Sequence, residues 1–375
     1  MHPGFETSKK ASNLAAALMC CNLHQEIKAD DRTPFFISEL RKRLFICAYD
    51  NDKQSATYSG RPPKLSRHYC RLQIPLDLTD SQLMAESLDL DTVIDELDGQ
   101  GWNQQGLVQR STFARLSATN ALITEEILEV ALGNLPQHEL AQRAMDIDDK
   151  SHKAWSELPQ FLVIDQNDPF GSNRAPLEVL FLAFIRLTYL DQQFLLQRTL
   201  SKKTNVDCTV PNVSLLAICS EIFQLVVLMV DNKDYFRDFQ VDFMQVLTRH
   251  GISSAAVLAV ELLHQEQDPT SASAMTYPLH RSDTIQSLSV FVACLGTVRL
   301  GANGYQTCDR ARKFLKKILD MILGAGPPGA KGSENTEITN DPTLSASLLQ
   351  PGSDGDFIRW LDSMEWEQES WVNFS

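Results

Sequence analysis

The sequence predicts an all-α protein, on three observations. Apolar residues recur at three- and four-residue spacing through most of the 375 residues, and residues suited to helix starts and stops punctuate that spacing. Only two stretches look extended, CRLQIPLDL (70–78) and QFLVID (160–165), and both are too short to build a sheet. The composition, 43% hydrophobic and 22% charged, is that of a folded chain with a large core.

The elements follow in order. An opening helix is expected over about residues 6–28, with Leu14, Ala17, Leu18 and Cys21 along one stripe whose exposure favours self-association. The second begins at SELRKRLFICAYDNDK. Ser38 is placed to cap its first turn, Glu39 suits the positive end of the helix dipole, and Phe36, Leu40, Leu44, Cys47 and Ala48 form its apolar stripe. Glu39 and Arg43 are expected to make an exposed pair four residues apart. Gly60 stops this helix by taking a positive φ, and Pro62 and Pro63 direct an extended exit. Further starts are marked by Thr79, Ser111 and Pro136, the last fitting a first helical turn. Helices are then expected over 177–200, 212–230, 234–249, 253–266, 282–299 and 305–323. No repeat of about 33–47 residues is visible.

Residues 324–355 change character. They are rich in Gly, Pro, Ser and Asn and are expected to be a flexible linker after one helical region, 1–323. The linker leads to an acidic-aromatic tail, 356–375. On a helix, Phe357, Trp360, Leu361 and Met364 would share a stripe among acidic residues. Trp366, Trp371 and Phe374 add aromatic surface, so the tail is expected either to activate through a partner groove or to anchor back onto the chain's own helices.

Charge and cysteine usage exclude several classes. A formal net charge of −14 argues against broad phosphate binding, because non-specific nucleic-acid affinity comes mostly from Lys and Arg displacing counterions. The short basic runs at 41–43, 202–203 and 312–317 do not form a DNA-reading surface. The eight cysteines, at 20, 21, 47, 70, 208, 219, 294 and 308, show no CxxC or zinc spacing and are expected to be reduced, mostly buried thiols. The N-terminus has no secretory pattern. The apolar stretches 177–197 and 214–230 carry Arg186, Asp191, Glu221 and Gln224, so they are expected as core helices and not membrane spans.

No catalytic signature emerges. HExxH, GxGxxG, the P-loop and SxxK are absent, and GISSA (251–255) lacks the final glycine of a nucleophile elbow; Gly251 ending one helix and Ser253 or Ser254 capping the next accounts for it. Asp91, Asp95 and Asp98 lie along one helix face, with Asp146, Asp148 and Asp149 further on. In an all-α chain such aspartates suggest magnesium and a diphosphate, as in terpenoid synthases, but the spacing is not DDxxD. No enzyme activity, cofactor or bound metal is expected.

The segment ELRKRLFICAYDNDKQSATYSGRPPKLSRHYCRLQIPL resembles the fungal-specific transcription factor domain, the middle homology region of fungal binuclear zinc cluster regulators. In that family a helix of the type E-x-R-R-R-L-F-W-x-x-Y-x-x-D-R runs into G-R-P. Glu39, Arg41, Lys42, Arg43, Leu44, Phe45, Tyr49, Asp52, Lys53, Gly60, Arg61 and Pro62 hold the matching places, with Ile46 for the tryptophan and Lys53 for the last arginine. The preceding KKASNLAAALMCCNLHQE resembles the helix that ends in the family's Gly-Leu-His motif, with Cys21 and Asn22 where the glycine region would be.

The resemblance implies a helical regulatory domain acting in the nucleus, with controlled genes of metabolic or secondary-metabolite pathways. Its implied partners are the transcription machinery or a co-regulator; it implies no membrane, and it leaves room for a homo-oligomer. DNA would be met only indirectly or through a six-cysteine module upstream of a truncated start, and zinc would belong to that module alone. The motif itself implies helix architecture, with Asp52 and Arg61 expected to pair across the helix exit. The alternatives are a helical interaction protein that does not bind DNA and, further off, the magnesium-dependent synthase.

Overall fold

The computed structural model of the chain describes residues 3–29, 33–84, 87–165, 169–170, 174–204, 213–267, 279–302 and 304–324. The linker and tail of the sequence reading, with Phe357, Trp360, Leu361, Met364, Trp366, Trp371 and Phe374, therefore lie outside the described residues, as does Cys208. The fold is all-α: among the described residues there is no strand, only an isolated antiparallel bridge between Leu97 and Asn103. The chain divides into two compact units after Thr204.

The first unit holds α1 (Pro3–Cys20), α2 (Phe35–Ser59), the short α3 (Asp80–Leu83), α4 (Ser87–Asp95), α5 (Arg110–Leu132), α6 (Gln137–Ser156) and α7 (Pro176–Thr204). Helix α5 is its axis, packing against α2, α6 and α7. One core layer joins α1, α2 and the extended stretch after it through Ala15, Leu18, Leu23, Phe45, Tyr49, Leu65 and Cys70. A second joins α5, α6 and α7 through Ile123, Ile127, Leu140, Ile147 and Leu196.

Helix α1 ends at Cys20, eight residues before the expected stop. Asn22 takes φ 57, the Leu23 N–H reaches the Leu18 carbonyl at 3.0 Å, and the Asn22 N–H reaches Met19 at 3.0 Å. This is a Schellman closure in which asparagine supplies the left-handed residue that glycine usually provides, with Leu18 and Leu23 packed beneath it. Of the predicted exposed stripe, Leu14, Ala17 and Cys21 face out while Leu18 is buried.

Helix α2 starts at Phe35 after Pro34, three residues before Ser38, whose hydroxyl instead donates to the Phe35 carbonyl. Gly60 closes the helix at φ 60, as the sequence predicts. The stretch 70–78 is extended without pairing, whereas 160–165 opens with a 3-10 turn, Gln160–Leu162. Thr79 caps α3 in a reciprocal box with Gln82.

The second unit holds α8 (Val213–Asp231), a 3-10 turn (Lys233–Phe236), α9 (Gln240–Gln245), a π-helical turn (Val246–Gly251), α10 (Ile252–Gln267), α11 (Arg281–Leu295) and α12 (Tyr305–Gly324). Here α10 is central, against α8, α11 and α12. Gly251 does not end a helix. The chain runs through it from π to α geometry, and a Cβ there would stand 2.7 Å from the Phe291 ring and 3.0 Å from Val226, so glycine serves close packing. Ser253 and Ser254 donate to the carbonyls of Arg249 and His250 within the same helix and cap nothing. The buried Cys308 thiol is pushed up to about 12 by burial. Cys70, Cys219 and Cys294 are also buried, while Cys20, Cys21 and Cys47 are exposed.

Three helical runs, Pro176–Thr204, Val213–Asp231 and Gln240–Glu266, are long and apolar enough to cross a membrane by length and composition. In the first, α7 turns Leu180, Leu182, Ala183 and Leu187 inward and packs on α6, a helix too polar to share a bilayer.

Candidate functional site

The motif of α2 is not an amphipathic helix of the expected hand. Leu40 and Leu44, placed on the apolar stripe by spacing, are 45% and 52% exposed, and Cys47 is exposed. The buried face carries Glu39, Arg43, Phe45, Ile46, Tyr49, Asp52 and Lys53, with Glu39 and Lys53 fully covered. Buried charges persist only when each finds a partner. Those partners form a two-part clasp that straps the extended stretch 61–78 between α2 and α5.

The first part lies at the helix exit. Both oxygens of the Asp52 carboxylate accept from the Lys64 N–H, at 3.1 and 2.9 Å, and one also accepts from Leu65 at 2.8 Å. Arg61 is exposed, so Asp52 sets the exit angle through main-chain N–H groups and not through the expected pairing with Arg61. Lys53 lies 3.2 Å from Asp52 and 3.6 Å from Glu125, donates to the Leu65 carbonyl, and sits 3.8 Å over the Tyr49 ring. The Tyr49 hydroxyl donates to Glu125, and the Arg67 N–H donates to the other oxygen of Glu125 at 3.0 Å. Burial, reinforced by Glu125, raises the Tyr49 phenol far above its ordinary value, so it stays a donor.

A more exposed layer continues the exit part. The Arg67 guanidinium reaches Glu126 and Glu129, and Glu126 also pairs with Lys150 at 2.7 Å and Arg143 at 3.3 Å. Burial raises the Glu126 carboxyl, but donation from Lys150 and Arg67 outweighs it and leaves the group below its ordinary value.

The second part lies at the start of α2 and α5. The Leu76 N–H donates to Glu39 at 2.8 Å, and Lys42 supplies a cation to the same carboxylate. Arg43 donates to the Leu78 carbonyl at 2.6 Å and to Asp80 at 3.0 Å, so the exposed Glu39–Arg43 pair expected from spacing does not form. Asp77, fully buried, accepts from the hydroxyls of Ser111 and Thr112 at 2.8 Å each and from Gln109 and Asn103, gathering the start of α5. Arg115 donates to the Pro75 and Gln100 carbonyls and lies 4.3 Å over the Trp102 ring. Burial lowers its pKa, with Asp77 and Asp98 partly offsetting this.

Of the predicted motif residues, the structure brings together Glu39, Arg43, Phe45, Tyr49, Asp52 and Lys53. It leaves Arg41, Leu44, Arg61 and Pro62 at the surface, and Gly60 acts through its backbone alone. Sequence reasoning missed Asp77, Glu125, Glu126, Arg67 and Arg115. The available signal was the acidic pair inside the apolar run ALITEEILEVAL. The buried carboxylates of the clasp are all hydrogen-bonded or ion-paired, whereas the buried Arg43 Nε, Arg115 Nε and Gln109 Oε1 atoms have no hydrogen-bond partner among the described residues.

The aspartates weighed as metal ligands stay apart: Asp91 and Asp95 are exposed on α4, Asp98 accepts from the Gln100 and Trp102 N–H groups of a turn, and Asp148 pairs with His152. Among the described residues no group of three His, Cys, Asp or Glu side chains is placed to hold a metal ion.

Residues 13–148 match the fungal specific transcription factor domain. The pyrimidine pathway regulatory protein 1 of Saccharomyces cerevisiae is 27% identical over 143 residues, which are 38% of this chain and 15% of that protein. The present chain thus spans a small part of the length of the curated relative it matches. No solved structure matches the chain.

Proposed function

We propose, from the match of residues 13–148 to the fungal specific transcription factor domain, that the chain is the helical regulatory part of a fungal transcription regulator. It works in the nucleus by setting the regulator's output through contacts with the transcription machinery or a co-regulator. The observation that carries this reading is the clasp: apart from Lys150, its residues lie within 13–148, and they fix how the chain leaves α2 and returns along α5. An ionic core whose buried carboxylates are all hydrogen-bonded specifies one geometry, which suits a scaffold that presents a surface to a partner.

DNA is reached indirectly or through a separate zinc-cluster module, and zinc belongs to that module. The residues 356–375 add an activating segment whose aromatics enter a partner groove, or an anchor onto the chain's own helices. The genes controlled are those of metabolic or secondary-metabolite pathways. A helical interaction protein without transcriptional output is the second reading, favoured by the net charge of −14.

Fusing the chain to a heterologous DNA-binding domain tests the proposal. Reporter output should depart from that of the bare domain, and Lys53→Met should abolish the departure while Leu44→Gln should not. Output equal to the bare domain, with a folded fusion, would leave the second reading. A gel shift at physiological salt with the unfused chain should show no sequence-preferring DNA binding.

A further inference from the structure

Away from the clasp, α5, α6 and α7 enclose a partly open cavity of about 150 Å³. An apolar cavity of about this volume admits benzene, so the space suits one six-membered ring. Its wall mixes apolar side chains, among them Leu116, Ile123 and Ile185, with polar ones, and part of it is aromatic. Trp155 and Tyr189 line it with rings stacked at 4.8 Å and 26°, and the Arg186 guanidinium lies 4.6 Å from the Trp155 ring. Trp102 lines it as well, held by Arg115.

The polar portion of the lining is uncharged apart from Glu157, whose side chain is about half exposed. Ser151 and Gln192, only 2% and 5% exposed, bond each other at 3.2 Å. Gln192 reaches the Asn120 carbonyl at 3.2 Å and its side-chain oxygen at 3.4 Å. These bonds are long, and among the described residues the Asn120 Nδ2 group makes none, so donors and acceptors remain for a guest.

We propose that this cavity is a binding site for a small uncharged ring compound bearing an amide, its ring against Trp155 and Tyr189 and its amide on Asn120, Ser151 and Gln192. The site does not depend on the transcriptional reading, because binding is measured on the chain alone. Benzamide is the probe and toluene its apolar counterpart, each titrated calorimetrically into the full chain. Benzamide should bind saturably, about tenfold more tightly than toluene, the worth of one well-made hydrogen bond to a buried group. Gln192→Met and, separately, Asn120→Ala should erase that preference, and Ala154→Leu, which fills the cavity, should abolish binding of both probes. Melting curves establish that each variant folds, and any one folded variant suffices for the comparison. No saturable benzamide binding, toluene binding as tightly as benzamide, or affinities that all three folded variants leave unchanged would overturn the proposal and leave a cavity filled by solvent.

Discussion

The two units are held by opposite chemistry. In the first, the packing of α2 on α5 closes over Glu39, Asp52, Lys53, Asp77 and Glu125, each 5% exposed or less. In the second, α10 presents Ala255, Ala256 and Ala259, all fully buried, and the neighbouring contact is the Phe223–Phe291 edge-to-face pair at 5.4 Å, with Gly251 beneath Phe291. An apolar interface of small residues tolerates adjustment by volume. An ionic interface tolerates almost none, since each charge is acceptable only while its partner stands. The difference teaches where rigidity resides: at the exit of α2, the place where the family motif is concentrated.

The sharpest way to break this contrast is to remove one charge. Lys53→Met leaves the Asp52 and Glu125 carboxylates buried without their shared cation, and should cost about 3–5 kcal/mol of first-unit stability, read by denaturant unfolding and amide exchange in α2 and α5. Adding Glu125→Gln to that variant should cost less than the two single changes summed, because the second removes a charge the first left unpaired. A single-variant loss under about 1 kcal/mol would mean that solvent reaches Lys53, and the clasp would then be ordinary surface pairing.

The matching change in the second unit is one of volume. Gly251→Ala places a methyl 2.7 Å from the Phe291 ring and should destabilise by about 1–3 kcal/mol, confined to α8, α10 and α11 by exchange. Phe291→Leu in the same chain should recover part of that loss. The same rescue has no counterpart for Lys53, which separates packing from charge.

How much of this was legible follows the same division. Local signals were readable: the positive φ of Gly60, the helix start at Thr79, and the bounds of α8 and α12 all depend on residues within a turn of one another, whereas α11 ends four residues before the expected stop. The departure at Asn22 was visible as a substitution, and its meaning needed only one backbone angle. The inner face of α2 was misassigned because periodicity counts apolar residues as buried, and here the apolar Leu40 and Leu44 are outside while the ions are inside. Nothing local marks Lys53 as buried. Its carboxylate partner Glu125 is more than seventy residues away, and Asp77 meets Ser111 and Thr112 only after folding. Gly251 was misread for a related reason: a glycine between two helical stretches looks like a stop until Phe291 is known to lie against it.

A smaller effect tests the outer layer of the clasp. Glu126 sits below its ordinary pKa, so its contribution is present above the unfolded carboxyl range and is lost as pH falls through that range and then through the lower folded value. Lys150 is half exposed and Arg67 about a quarter, so the term is discounted for solvent, to at most about 1 kcal/mol. Stability should decline as pH drops from about 5 toward 3, and Glu126→Gln should flatten that decline while lowering stability at neutral pH. An unchanged slope would place the acid sensitivity elsewhere in the chain.

The smallest expected effect probes the residues that spacing alone assigned to the core. Leu44 is 52% exposed and Leu40 45%, on the side of α2 turned away from Phe45 and Tyr49. In an isolated chain Leu44→Gln removes little buried apolar area and should change stability by no more than about 0.5 kcal/mol, far less than loss of Lys53 from the opposite face. The comparison also bears on self-association, because Leu14, Leu40 and Leu44 are apolar side chains left at the surface of α1 and α2. If Leu44→Gln costs 2 kcal/mol or more, as loss of a buried leucine would, and its cost rises with protein concentration in light-scattering and melting series, this face is covered by a second copy. A cost near zero at every concentration would show that the buried face of α2 is the charged one alone, and that its outward leucines contribute no packing.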